Sequence, residues 1–488
     1  MKTCLKRAGL AAAACLGIGL AGTAQADNEA LIQLLIDRGV LSEDDVAEMR
    51  SQIQVDEDHE AGDPAVVAAP GARDGGMQYE PTEPLVGEPF NARVRNFRIE
   101  TPDGKHRFGI RGRLMVDGAY TAFQDRDTVD DDRVGEGVLA RYGTILRRAR
   151  LGALGIMYYN WEWQLEVDFR DDEVRFANAY LAYLFDNGRL AIGNFKEPFS
   201  IESSTSSRRI TFLERATPVD AYRPSRQIGL MYETLIPNMY GAIGVFGGDG
   251  VGRDRSLTEG YSIAARGSVA PYLDEASRTW THLGLSYNYR RNAYEGRGRD
   301  KEFEDVRMRS RLGTRAVDGR FIGRRDLDDV DDFQTVALEG AFGIGPFSLQ
   351  GEYLEQELDR KDGDDVRHRG YYVQGSYLLT GENRNYRAFS GDLGRIQVNR
   401  PLSAGGPGAW KVAARYATAN SFNRGVTNDG GQKMDHYTLG LNWYPEDDIV
   451  FKFNVIYLDA ETGQSRSDEL DRKQTKGWVY AFRAQYEF

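Results

Sequence analysis

The sequence predicts an all-β fold: a 16-stranded antiparallel transmembrane β-barrel carrying a short N-terminal helical segment. Three observations predict it. From residue 93 onward, most apolar/polar alternating segments run nine to fifteen residues, and successive side chains of a strand point to opposite faces. These segments number 16, an even count, and tight turns alternate with long polar loops, as in outer-membrane barrels. The last segment, Trp478-Val479-Tyr480-Ala481-Phe482, is aromatic and alternating, which suits a barrel-closing strand. A soluble sandwich would also alternate, but its strands are usually about five or six residues long. A membrane-crossing strand needs about 9–11.

Residues 1–26 read as a secretory signal peptide. Lys2, Lys6 and Arg7 form its basic start, residues 8–22 are small and apolar, and Ala24-Gln25-Ala26 has the form of a cleavage site. Residues 27–53 read as a short helical segment. Leu31, Leu34, Leu35 and Ile36 share one face of a first helix, and Ser42 with Asp45 forms a capping box that opens a second helix through Val46 and Met49. Residues 54–92, acidic and rich in Pro, Gly and Ala, read as a linker.

The barrel domain is then 93–488. Its strands are expected near 106–123, 143–158, 160–170, 175–185, 189–196, 226–233, 239–246, 259–269, 279–289, 333–343, 347–357, 368–380, 409–419, 432–443, 448–459 and 476–488. Tight turns fall at Asp186-Asn187-Gly188, Pro237-Asn238, Gly345-Pro346 and Glu446-Asp447-Asp448. Long loops fall at 124–142, 197–225, 290–332 and 460–475. The connection 381–408 is long on the side that otherwise carries short turns.

Composition excludes several functions. Both cysteines, Cys4 and Cys15, lie in the leader, so the chain beyond it has neither disulfide nor thiolate chemistry. Removing Lys2, Lys6 and Arg7 with the leader leaves 59 basic against 74 acidic residues. That balance argues against nucleic acid as a partner. The five histidines, His59, His106, His282, His368 and His436, have no metal-ligand spacing, and no catalytic constellation stands out. No cofactor, no metal and no enzyme activity is expected.

Local charge is different. In the opening strand Phe108, Ile110, Leu114, Val116 and Tyr120 share one face, and Arg107, Arg111 and Arg113 share the other. A charge on the lipid face costs roughly 2–4 kcal/mol at the bilayer midplane, so the arginines are expected inside. Arg147, Arg148 and Arg150 open the next strand. Alternation puts Arg148 and Arg150 on one face, and Arg147 joins them only if a bulge re-aims it or it lies above the membrane. A third cluster, Ser206, Ser207, Arg208 and Arg209 followed by Arg215, lies in loop 197–225. Converging, the three would form an anion-selective constriction. The acidic face of Glu162, Glu166 and Asp168 would oppose anions, position the arginines, or form the far wall of a pore.

The stretches FGIRGRLMVDGAY, LRRARLGALG, WEWQLEVDF, NFKEPFSIESSTSSRRITFLERA, GVFGG, SYLLTGE and GAWKVAARYA occur in that order. Together they resemble the phosphate-selective porin O/P family over about residues 93–488. The resemblance implies a trimeric outer-membrane barrel whose third outer loop folds inward to an anion site of arginines and serines. By position it implicates Ser206, Ser207, Arg215, Arg147 and Arg148, with Arg111 or Arg113. It also implies the long connection after SYLLTGE. The sequence departs from strongly phosphate-selective members in one respect: Ser203, Ser204 and Thr205 stand where a lysine precedes the paired serines. The expected partners are inorganic phosphate, polyphosphate or other small anions, and outer-membrane lipid. A porin of other selectivity, or a barrel acting as adhesin or receptor through its loops, is the alternative.

Overall fold

The computed structural model describes residues 97–488 except 124–140, 171–173, 235, 249–257, 296–301, 304–305, 307, 309, 318–319, 323–326, 328, 362–364, 422–431 and 467–468. The expected leader, helical segment and linker lie outside the described residues, as does most of loop 124–142.

Sixteen long strands among the described residues form one closed antiparallel barrel. They are β1 Arg107–Phe123, β2 Tyr142–Met157, β3 Trp161–Asp168, β4 Arg175–Phe185, β5 Gly188–Lys196, β6 Arg226–Thr234, β7 Met239–Gly247 and β8 Tyr261–Val269. β9 Thr279–Arg291, β10 Val330–Ile344, β11 Phe347–Arg360, β12 Val366–Leu378, β13 Ala409–Asn420, β14 Gln432–Glu446, β15 Ile449–Arg466 and β16 Glu469–Glu487 complete the ring. Each pairs with its neighbours in the chain, and β1 closes on β16 from Arg113↔Glu487 to Phe123↔Gly477. Closure leaves no strand edge facing lipid.

The seam extends one residue past β16. The Gly112 N–H donates to the Phe488 carbonyl at 2.9 Å, and the Phe488 N–H returns the bond at 3.2 Å. The Phe488 ring lies over Gly112, where an added Cβ would sit 2.3 Å from a ring carbon. Only glycine leaves that room.

One sequence expectation fails. Stretch 460–475, expected as a loop, is strand to Arg466 and again from Glu469, with pairs such as Gly463↔Arg472 continuing the ladder. Its sequence, AETGQSRSDELDRKQT, runs polar through consecutive positions, so it shows no apolar/polar alternation.

The outer face is apolar as predicted: Leu114, Val116 and Tyr120 are exposed, while Arg111, Arg113 and Asp117 on the same strand are buried inside. Two rows of aromatic rings cross it over β12–β16. Tyr371, Tyr416, Tyr437, Tyr457 and Trp478 lie in successive contact toward the long-loop ends, with ring centroids 4.9–6.2 Å apart. Trp410, Trp443, Phe451 and Phe482 do the same toward the other side. Such aromatic rows sit at the two membrane interfaces.

Besides Leu312 and Val317 of connection 290–332, which join the buried cluster inside the barrel, two connections fold into the lumen at the site. The first is loop 197–225, carrying the short helices α1 Ile201–Ser204 and α2 Thr217–Tyr222. Its Phe199, Leu213, Ala216, Val219 and Tyr222 pack on lumen-facing Leu354, Ala417, Ile456, Leu458 and Val479. These strand positions are apolar inside because the loop covers them. The second is the long connection 379–408, on the side of the short turns. Buried Arg266 donates to the carbonyls of Ser390 and Gly391, at 3.3 and 2.6 Å, while its other bonds hold Glu339. Trp280 stacks on Tyr386 with centroids 5.0 Å apart and donates its indole N–H to the Arg384 carbonyl. Gly391 has φ +57° beside Arg266 and Ser268, a conformation that favours glycine. The two inserts meet where the Leu393 N–H donates to Thr205 Oγ1 at 3.2 Å and Arg384 donates to the Arg209 carbonyl.

Candidate ion pathway

The three basic clusters converge on the inner loop. Strand alternation turns Arg111 and Arg113 of β1 inward, and the same rule turns Arg150 of β2 inward. Arg147 follows through an irregularity: Met115 pairs with Arg148 and Val116 with Leu146, so Arg147 is the extra residue of a β-bulge. The bulge lets Arg147 and Arg148 both serve the lumen while Leu146 stays exposed outside.

Carboxylates meet most of these arginines. Glu166 accepts from Arg111 at 2.8 Å, Arg113 at 3.4 Å and Arg150 at 2.8 Å. Asp168 accepts from Arg150 at 2.9 Å. Glu162 pairs with Arg189 of β5. The acidic face of β3 thus positions the arginines by salt bridges, one of the three roles its sequence allowed. Three guanidiniums thus share Glu166 and Asp168, so arginines outnumber carboxylates in this group.

Arg147 grips Glu214 of the inner loop in bidentate fashion, at 2.6 and 3.0 Å. Arg483 of β16 also reaches Glu214, at 3.1 Å, and binds Asp117 and the Leu213 carbonyl. Burial alone would raise the Glu214 carboxyl. The neighbouring Arg147 and Arg483 outweigh it and hold the group well below the usual carboxylate range.

The loop residues divide by role. Ser207 Oγ accepts from Arg113 at 2.9 Å, joining the loop to β1. Ser206 Oγ accepts the Arg208 N–H at 3.4 Å. Arg208 and Arg209 both pair with Glu487. Arg215 donates to the carbonyls of Glu202, Ser203 and Thr205, so it braces the turn of α1. Among the described residues Arg148 makes no ion pair within 4 Å. Its Nε is buried without a partner, among Arg147, Arg150 and Arg113.

Sequence reasoning missed a second group of cations, on β13, β15 and the 379–408 insert, past β16 from the first group. Lys452 of β15 donates to the Ile210 carbonyl at 2.6 Å, and Lys411 of β13 to Thr211 Oγ1 at 3.5 Å. Arg415 of β13 donates to the Glu214 carbonyl at 3.1 Å and lies 4.4 Å over the Phe212 ring. Arg384 of the 379–408 insert stands next to both lysines. Among the described residues neither lysine nor Arg384 has a carboxylate within 4 Å, although all three are buried. Burial draws the Arg384 guanidinium down to about 10, against the help of Tyr444, which leaves it charged at neutral pH. The available signal was the odd register of GAWKVAARYA, which puts Lys411 and Arg415 on the lumen face between outward Trp410, Val412, Ala414 and Tyr416.

A small cavity adjoins Arg384, with Arg208, Arg209, Arg395, Tyr444, Asp447, Asp448 and Glu487 among its lining. The fixed donors and positive excess suit small anions with several acceptor oxygens.

Comparisons with known proteins agree with the fold. The family model described as "Phosphate-selective porin O and P" matches residues 124–488. Porin O of Pseudomonas aeruginosa is 29% identical over 427 residues, covering 80% of this chain and 90% of that protein. An uncharacterized protein of Caulobacter vibrioides is 28% identical over 371 residues, covering 73% of this chain and 70% of its own. Among solved structures, the anion-selective porin from Comamonas acidovorans is similar with a TM-score of 0.47 and 14% identity, over 78% of this chain and 100% of that one.

Proposed function

The chain belongs to the phosphate-selective porin O and P family and is an outer-membrane porin; on that premise we propose that it passes anions by passive diffusion, with phosphate or polyphosphate as its solutes. The observation that carries the reading is the wall of Arg384, Lys411 and Lys452. These cations face the inner loop with no carboxylate within 4 Å among the described residues.

The arginines at the loop divide the work. Arg111, Arg113 and Arg150 draw anions toward the constriction through the positive excess around Glu166. Arg147, Arg215 and Ser206 hold the loop, and Ser207 offers a hydroxyl beside Arg113. Arg148, with its buried unpartnered Nε, supplies a donor at the narrowing. Arg208 and Arg209 pass the anion on to Arg384. An anion sheds part of its hydration at these donors, and several weak sites in series let it leave again. The assembly is a homotrimer, as the family resemblance implies, with the aromatic rows against lipid.

The test is reversal potential across planar bilayers under a KCl gradient, with phosphate titrated against the chloride current. The expected result is chloride preference with saturable block by phosphate, both weakened in Lys411→Ala/Lys452→Ala. A cation-preferring or unselective pore that phosphate does not block would sink the reading.

A further inference from the structure

The outer face of β11–β16 changes chemistry along one line. Tyr416, Tyr437, Tyr457 and Trp478 are cross-strand partners in turn and form one outward rung. Two residues further toward the long loops, the next outward rung carries Asp435, Asp459 and Lys476, again partners in turn. Across β11 and β12 the same step leads from Tyr353↔Tyr371 to Glu355↔Arg369 and then Glu357↔Arg367. On the other side of the line Val373, Leu439 and Leu441 are exposed and apolar. An aromatic row marks the membrane interface, so the charged band stands at the level of the lipid headgroups.

Ion pairs order this band. Arg367 meets Glu355 at 3.5 Å and also Glu357, and Arg369 Nε meets Glu355 at 3.2 Å. Lys433 meets Asp435 at 2.8 Å, and Lys476 meets Asp459 at 3.5 Å. In every pair the cation lies outermost: the basic side chains are 37–53% exposed and the carboxylates 15–28%. Neighbours on the wall hold the carboxylates back. The Tyr353 hydroxyl donates to Glu355 at 2.7 Å, the Tyr416 hydroxyl to Asp435 at 2.9 Å and the Gln474 amide to Asp459 at 2.9 Å. These four cations and four carboxylates balance, so the band pulls little at a distance, but an arriving headgroup meets cations first. A guanidinium has five N–H donors and an ammonium three. With one carboxylate contact each among the described residues, Arg369, Lys433 and Lys476 keep donors that suit phosphate oxygens.

We propose that the outer wall over β11–β16 binds anionic phosphorylated lipids of the outer leaflet. Their phosphates sit on Arg369, Lys433 and Lys476, and their acyl chains lie along Val373, Leu439 and Leu441. The inference rests on the barrel's place in the outer membrane and is independent of the anion pathway inside it.

The test is native mass spectrometry of the intact protein released from micelles that hold equal amounts of dioleoyl phosphatidic acid and dioleoyl phosphatidylcholine. Exposed ion contacts are individually weak, so the phosphatidic acid should be retained roughly threefold to fivefold over the phosphatidylcholine. Arg369→Gln/Lys433→Gln/Lys476→Gln should bring that ratio toward one. Glu355→Gln/Glu357→Gln, which removes counter-charges, should raise it. The substituted side chains lie on the surface, and heat-dependent gel mobility checks that each variant is a folded barrel. Equal retention of the two lipids by the unaltered protein overturns the inference. So does a ratio that the triple variant leaves unmoved. Loss of the preference on adding sodium phosphate, but not sodium chloride of equal ionic strength, would assign these cations to the free ion and also overturn it.

Discussion

At the scale of single residues, selectivity turns on which charges are matched. Glu166 is one carboxylate shared by Arg111, Arg113 and Arg150. Glu166→Gln keeps its size and one acceptor while removing the charge. A unit charge acts at about 1 kcal/mol over 4 Å in water, so chloride preference should rise roughly fivefold. An unchanged reversal potential would mean permeating ions do not feel this arginine group. Glu214 carries more structural consequence, because Arg147 and Arg483 both hold it. Breaking a buried pair by removing one partner costs about 3–5 kcal/mol. Glu214→Gln should therefore lower the unfolding temperature of the barrel measured by heat-dependent gel mobility. The pH sign follows from the depressed carboxyl. Its contribution is complete above the unfolded value of about 4.3 and is lost as pH falls through the folded value. Glu214→Gln should therefore narrow the stability gap between neutral and strongly acidic solution, and an equal gap in both proteins would contradict the assignment.

At the scale of elements, the two lumen inserts are held by different devices. The bulge at Arg147 adds one residue to β2 without changing the face of Leu146 or Arg148. Deleting Arg147 should restore a regular ladder, and the barrel should still insert. The inner loop would lose its bidentate anchor, so single-channel current should become noisier and larger; a quiet channel of unchanged conductance would show that the loop does not depend on this contact. How much of this was legible in the sequence depends on range. Alternation is local, so all sixteen strands and the inward face of Arg111 and Arg113 were readable. The bulge was readable only as one of the ways Arg147 could turn inward. The pairing of Arg111 with Glu166 joins residues 55 apart and depends on the stagger of β1 against β3, which no local pattern encodes. Lys411 and Lys452 escaped notice because a lone lysine at an inward position looks like any other polar lumen residue. Their meaning comes from a loop hydroxyl and a loop carbonyl, 200 and 242 residues away. Lumen-facing Ile456, Leu458 and Val479 break the polar-inside expectation because a loop covers them.

At the scale of the whole molecule, two opposed fields act on an approaching anion. The chain has a formal net charge of −12, which repels anions at long range. The cations of the proposed pathway are buried, Lys411 at 0% and Lys452 at 1% exposure, and act at contact. Salt separates the two. The Debye length is about 30 Å at 0.01 M and about 8 Å at 0.15 M, and buried charges are screened much less than exposed ones. Raising KCl over that range should remove the repulsion while leaving the contact attraction. The chloride-to-potassium permeability ratio should therefore hold or rise. A pore that owed its preference to an exposed ring of arginines at the mouth would behave in the opposite way, losing selectivity as salt rises. Reversal potentials taken at fixed gradient ratio across this series decide between them. A steady fall in the ratio would place the selecting charges at the surface and remove Lys411 and Lys452 from the mechanism.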